Sequence, residues 1–430
     1  MSNLTESRDF DERAFDDTDF FRARPLYQNP YPYYEYLRGH GPVWREPHRG
    51  VVMITGYDEA VAVLTDTASF SNCNTVSGPF ASFPVPLEGD DISAVIEEYR
   101  DTLPFSDQLP TFDPPKHTAH RALLMRLITP KRLKENESFM WRLADRQIDE
   151  FLARGSCEFV HEYANPFTLL VIADLLGVPE EDHETFREEL QGEKRPVNGP
   201  MMHKPLEFLY DRFTKFIEDR RREPRLDVMT QLATATFPDG SLPDVHDVML
   251  IASNLFAAGQ ETTARMLGTA LRLIGENPEL QQRLRDQRDR IPAFVEECVR
   301  LESPIQGNFR LARVPTTVGG IDLPAGTTVM VLNGAANRDP RQFDDPADVR
   351  LDRPNGRQHV GFGFGIHACA GAPLARAEGR VSLERLLDRM SDIRVSETEH
   401  GPPGDRHYFY TPIYMLRGLE QLHLEFTPVA

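Results

Sequence analysis

The 430-residue chain has only four cysteines, Cys73, Cys157, Cys298 and Cys369, and no two of them form a Cys-x-x-Cys pair. Cysteines this far apart build neither a zinc site nor a disulfide framework, and they fit a reducing compartment. Long apolar runs are missing too. No stretch of about 18 apolar residues occurs, and the first twenty residues carry acids where a leader would be basic and apolar. A cytoplasmic protein without a membrane anchor is the expectation. Positive charge is also scarce, with 48 Lys and Arg against 67 Asp and Glu for a net charge of -19. Nucleic acid and anionic membrane surfaces are therefore poor partners.

What is present is enough apolar content, 40% of the residues, for a large core. Helical periodicity runs through Arg142 to Leu152, Asn165 to Leu176, Leu206 to Arg222 and Val245 to Leu273, with turns at Gly155, Gly177, Pro196 and Pro224. Val43 to Thr55 reads as a short strand pair, and Thr316 to Leu332 as a second strand-like patch with turns at Gly319-Gly320 and Pro324-Ala325-Gly326. No internal repeat or separating linker is visible, so residues 1–430 read as a single, mainly α domain with a minor β portion. Residues 72–111 show no sustained period and read as a long loop, of the kind that is functional or mobile.

One segment points to a cofactor. In Phe362-Gly363-Phe364-Gly365-Ile366-His367-Ala368-Cys369-Ala370-Gly371 a cysteine stands two residues before a glycine and after two more glycines and an aromatic. A flat ligand lying against backbone needs such glycines, and a helix beginning after the cysteine, with Pro373 in its first turn, would aim free N–H groups at the sulfur. Cys369 therefore reads as the axial ligand of a haem iron. A lone cysteine is more often buried and inert. The five spaced residues, however, arise by chance in this composition only about 3 times in 100,000, which favours the ligand.

These residues resemble the haem-binding signature of the cytochrome P450 family, and further landmarks follow in family order: His117 to Arg121, Ala258 to Thr263, Glu297 to Arg300, Asn337-Arg338-Asp339-Pro340 and Phe362 to Gly371. The resemblance implies the P450 fold, a helix-rich triangular prism with haem b between a long central helix and the cysteine loop. It implies that His117, Arg121, Arg310 and His367 neutralise the haem propionates. Phe362, Gly365 and Gly371 would shape the cysteine loop, and Ala258 and Gly259 would leave room on the long helix for haem and dioxygen. Glu261 and Thr262 would be the catalytic acid and alcohol that bring protons for oxygen–oxygen cleavage, with Thr262 opening the helix locally. Glu297 and Arg300 would anchor the cysteine side together with Arg350 or Arg353.

Gly361, Ala368 and Ala370 depart from the larger residues common in relatives. The implied activity is monooxygenation of an apolar terpenoid, steroid or fatty-chain compound. Alternatives are a peroxide-dependent peroxygenase and a non-catalytic haem sensor or carrier. No flavin or iron–sulfur segment is visible, so electrons would come from a ferredoxin and its reductase, docking on Arg126, Lys131, Arg132, Arg357, Arg376 and Arg380 of a monomer. The pocket walls would be Leu255, Ala258 and Thr262, residues 305–309, the 80–103 loop and residues 408–413.

Overall fold

The computed structural model describes residues 15–178 except Ala81, residue 180, and residues 207–429. The longest helices are Pro130–Leu152, Asn165–Leu176, Glu207–Arg222, Val245–Glu276, Ile291–Glu302 and Ala372–Arg389. Local chemistry sets their ends. Proline stands in the first turn of four of them, where its missing N–H costs nothing. Thr129 caps Pro130–Leu152 by accepting the Arg132 N–H at 3.3 Å. Gly177, at φ 79°, closes Asn165–Leu176 in the left-handed conformation that glycine tolerates best. The predicted turn at Pro196 lies outside the described residues.

Val245–Glu276 crosses the middle of the molecule and is about 48 Å long at 1.5 Å per residue. Asn165–Leu176 packs beside it and is buried on almost every side, which explains why its sequence is apolar all round. Both belong to the largest core cluster, with Phe167, Ile172, Phe256, Leu267 and Leu383 among its members.

The expected strand pair is β1 (Val43–Arg45) against β2 (Val52–Ile54). Both join a five-stranded sheet with β3 (Phe70–Ser71), β5 (Asn308–Ala312) and β8 (Thr328–Val331), in the order β1-β2-β8-β5-β3, in which only β2 and β8 run parallel. Alternation along the strands buries both faces. Val52, Ile54, Val329 and Val331 face one cluster, while Met53, Phe309 and Met330 face an aromatic cluster built on Phe20, Phe21 and Tyr33. The second patch divides, since β6 (Thr316–Val318) and β7 (Ile321–Leu323) make a separate hairpin through Gly319-Gly320. A three-stranded sheet pairs β10 (His423–Pro428) with β4 (Ser156–Glu158) and β9 (Met390–Val395).

The described part of residues 72–111 is a built wall. It contains the helix Ser93–Tyr99 and buries Cys73, Ile92, Ile96 and Leu103 against Leu311. Asp113 ties the wall down with Arg100 at 2.8 Å and Arg313 at 2.9 Å. Periodicity could not reveal this, because a short helix between turns held by side-chain ion pairs leaves no sustained pattern. Among the described residues, no helix is long and apolar enough to cross a membrane.

Candidate active site

The segment 356–371 approaches the start of Ala372–Arg389 as a series of short turns. Gly363 and Gly365, at φ 69° and 68°, occupy left-handed backbone, and a side chain on Gly365 would come within 3.0 Å of the Leu64 carbonyl. Gly371 is at φ -78°, a conformation open to any residue. The loop closes on itself where the Cys369 N–H donates to the Phe362 carbonyl at 2.7 Å. The Phe362 ring lies under the Arg376 guanidinium, 4.7 Å away, and so serves to hold the cysteine helix.

Of the four cysteines, only Cys369 is exposed; the others are buried, and burial pushes their thiols up, which leaves them inert. Although Cys369 is exposed, the protein packed closely around its sulfur raises the thiol, and N–H groups of Gly371 and Ala372 and the charges of Arg121 and Arg376 pull it back toward thiolate. This is the helix-terminus environment that a thiolate metal ligand needs.

Beside the cysteine, four basic side chains from three segments converge, His117 and Arg121 sharing the helix Lys116–Met125. The rings of His117 and His367 lie 4.0 Å apart, Arg121 donates to the Ala368 carbonyl at 2.6 Å, and Arg310 is 4% exposed. Burial and mutual repulsion push His117 down to about 4 and His367 to about 2. Burial lowers Arg310 to about 10. Asp113, the acid that offsets Arg310, is already committed to Arg100 and Arg313. His117 Nδ1 and His367 Nε2 are buried without a partner. A cluster this short of anions matches a flat group carrying two carboxylates next to a thiolate, which is the donor set of haem b.

On Val245–Glu276, Ala258, Glu261 and Thr262 all reach accessible space in the middle of the helix. The helix is unbroken there, contrary to the expected local opening, and Thr262 Oγ1 donates to the Ala258 carbonyl at 3.0 Å. Glu261 pairs with Arg265 at 3.3 Å. Gly259 faces elsewhere: a Cβ there would meet Ile172 at 3.2 Å, so its small size serves the helix–helix contact. Phe309, expected on a pocket wall, is buried against Phe21 and Tyr414.

The charge networks behind the loop settle what spacing left open. Glu297 binds Arg300 at 2.7 Å and Arg353 at 3.0 Å, and all three side chains are at most 2% exposed. Arg350 contributes its backbone N–H at 2.9 Å, while its side chain turns to Asp345. Sequence reading overlooked Glu296, which holds His359 at 3.0 Å and Arg376 at 2.6 Å and so joins the start of the loop to the cysteine helix. Its only signal was a second acid next to Glu297. His120, a neighbour of His117 on its helix, is 6% exposed and bonded to Asp247 at 3.2 Å. Most of the proposed docking cations are matched by acids: Arg357 and Arg376 by Glu296, Arg380 by Glu137 and Arg132 by Glu135.

Glu296 also predicts an acid response. Burial raises its carboxyl, but His359 and Arg376 outweigh burial and hold it down at about 2, against an ordinary 4.5. A lowered carboxylate stabilises the fold above the unfolded value and loses that contribution as pH falls toward the native one. Haem retention should therefore weaken between pH 4.5 and about 2. Glu296→Gln should flatten that part of the profile, and absorbance in a pH titration checks it.

Comparison with known proteins agrees with this geometry. The cytochrome P450 family model matches residues 200–406. Cytochrome P450 144 of Mycobacterium tuberculosis is 31% identical over 424 residues, covering 96% of this chain and 92% of that protein. Cytochrome P450 CYP150A6 of Mycobacterium marinum, solved in a substrate-free form, is 56% identical with a TM-score of 0.92, over 97% of this chain and all of that one. CYP109E1 of Bacillus megaterium, solved in complex with corticosterone, is 27% identical with a TM-score of 0.78, over 93% and 98% of the two chains. With its sequence aligned almost end to end and a basic cluster beside its one exposed cysteine, the chain belongs to the cytochrome P450 family of haem b monooxygenases.

Proposed function

We propose that this monooxygenase acts as a single-domain cytoplasmic monomer on an apolar organic substrate of terpenoid, steroid or fatty-chain type, with a ferredoxin and its reductase as electron source. The observation that carries the site assignment is the convergence of His117, Arg121, Arg310 and His367 beside Cys369. The haem, when bound, supplies a redox-active iron at which dioxygen is reduced and cleaved. The balance is one substrate C–H, one dioxygen, two electrons and two protons giving one C–OH and one water.

In this reading Cys369 is the metal ligand, and the four basic side chains hold the propionates, Arg121 and Arg310 by charge and the uncharged His117 and His367 through ring N–H groups. Phe362, Gly365 and Gly371 belong to the loop that presents the sulfur. Ala258 keeps the long helix thin where substrate and dioxygen meet, and Gly259 supports it through Ile172. Glu261, open to water and steadied by Arg265, exchanges protons with solvent. The Thr262 hydroxyl, 3.0 Å from the Ala258 carbonyl, holds the proton-bearing hydrogen bond at the reacting centre. The corticosterone bound by the Bacillus megaterium relative supports a bulky apolar substrate as one of the classes.

The test is a spectral screen of compounds against the ferric protein, with hits incubated with ferredoxin, reductase and isotopically heavy dioxygen. One heavy oxygen atom in the product is expected, and a substrate unlabelled by dioxygen would defeat the proposal. Thr262→Ala should cut product per electron by about tenfold or more, in line with the loss of a proton-delivery group, while leaving electron consumption intact. Coupling is measured as product formed per NADH consumed.

A further inference from the structure

We infer that a second feature of the molecule, a cavity of about 470 Å³ where the β1–β2 turn meets the start of β8, binds the carboxylate end of an apolar ligand. This inference deepens the proposed function, on which it rests, by naming the polar end of the substrate. Arg45, Arg49 and Asn74 line the cavity together with the apolar Phe83, Val85 and Leu311. The volume falls within the range of small-molecule sites, about 300–1,000 Å³. Strand register fixes its place at the end of the sheet: Leu311 and Thr328 are paired there, and Arg45 and Arg49 come from the end of β1 and the turn that follows it.

The cations are placed rather than merely present. Arg49 lies over the Phe80 ring at 4.8 Å and the Phe21 ring at 5.7 Å, which fixes its guanidinium before any ligand arrives. Its contact with Asp19 is long at 3.5 Å, against about 2.7–2.9 Å for a good charge-assisted bond. Asp19 is shared with Arg22 at 3.6 Å, and Arg49 Nε is buried with no partner. Arg45 is exposed and donates to the Gly50 carbonyl at 3.1 Å. The neighbouring acid Glu46 is buried and taken up by the backbone N–H groups of His48 and Arg49.

Asn74 gives an independent sign. It is 3% exposed, its Oδ1 has no partner, and its Nδ2 reaches Thr328 only at 3.5 Å. An amide this far from satisfied turns readily, offering its NH2 to a ligand oxygen. A planar fork at Arg49, a second guanidinium at Arg45 and an unsatisfied amide suit a carboxylate, and the apolar wall suits the chain behind it.

The experiment compares dodecanoic acid with methyl dodecanoate by calorimetric titration of the haem-loaded protein at low salt. The acid is expected to bind at least about tenfold tighter than the ester, a preference that shrinks as salt screens the arginines. The double variant Arg45→Gln/Arg49→Gln should lose the preference while keeping the wild-type carbon monoxide spectrum, and Arg49→Lys should restore part of it. Equal binding of acid and ester, or a preference unchanged in the double variant, would overturn the inference. Either result leaves the ferredoxin-driven turnover test untouched, so the two readings fail separately.

Discussion

Cys369→Ser will abolish monooxygenation while leaving a folded protein. The reason for the loss is specific to sulfur: the Cys369 thiolate would hold the haem iron and donate electron density that favours oxygen–oxygen cleavage, which a hydroxyl un-ionised at neutral pH would not do. The fold should survive because the loop closes through backbone, from the Cys369 N–H to the Phe362 carbonyl, and because the side chain is exposed rather than packed in a core. The reduced carbon monoxide complex should lose the Soret band typical of thiolate ligation, with turnover at background. Replacing any of the three buried cysteines by Ala should leave that band in place. A Cys369→Ser protein with the wild-type band would remove the central assignment.

Glu297→Ala will destabilise the protein by about 3–5 kcal/mol, the cost of leaving a buried charge without its partner. Here two are stranded, Arg300 and Arg353. Carbonyls of Asn337, Pro346 and Asp348 still accept the Arg300 N–H groups, but neutral dipoles do not balance a full charge. Glu297→Gln keeps the shape and loses only the charge, so it should recover the smaller part of the deficit. Because Arg353 lies just before the cysteine loop, haem loss should precede global unfolding in both variants. Denaturant midpoints followed at the Soret band and by circular dichroism measure the gap, and coincident transitions would show that the network supports the whole fold rather than the loop.

The sequence determined the helices, whose starts and stops are written in residues such as Pro373 and Gly177, together with the cysteine loop. Neighbours in sequence carry those signals. It also determined the chemistry of Cys369, because the helix that follows must present its N–H groups to whatever precedes it.

Only the tertiary structure decided the rest. It chose Arg353 over Arg350 for Glu297, turned Gly259 toward Ile172 and tied the helix Ser93–Tyr99 and its flanks down through Asp113. It paired most of the cations expected to dock a ferredoxin with acids, and it brought Arg310 and His367 to the helix that carries His117 and Arg121. Each of these is a question of which long side chain meets which partner. Charges far apart in the chain have many partners of similar energy until packing fixes their distance and removes the water between them.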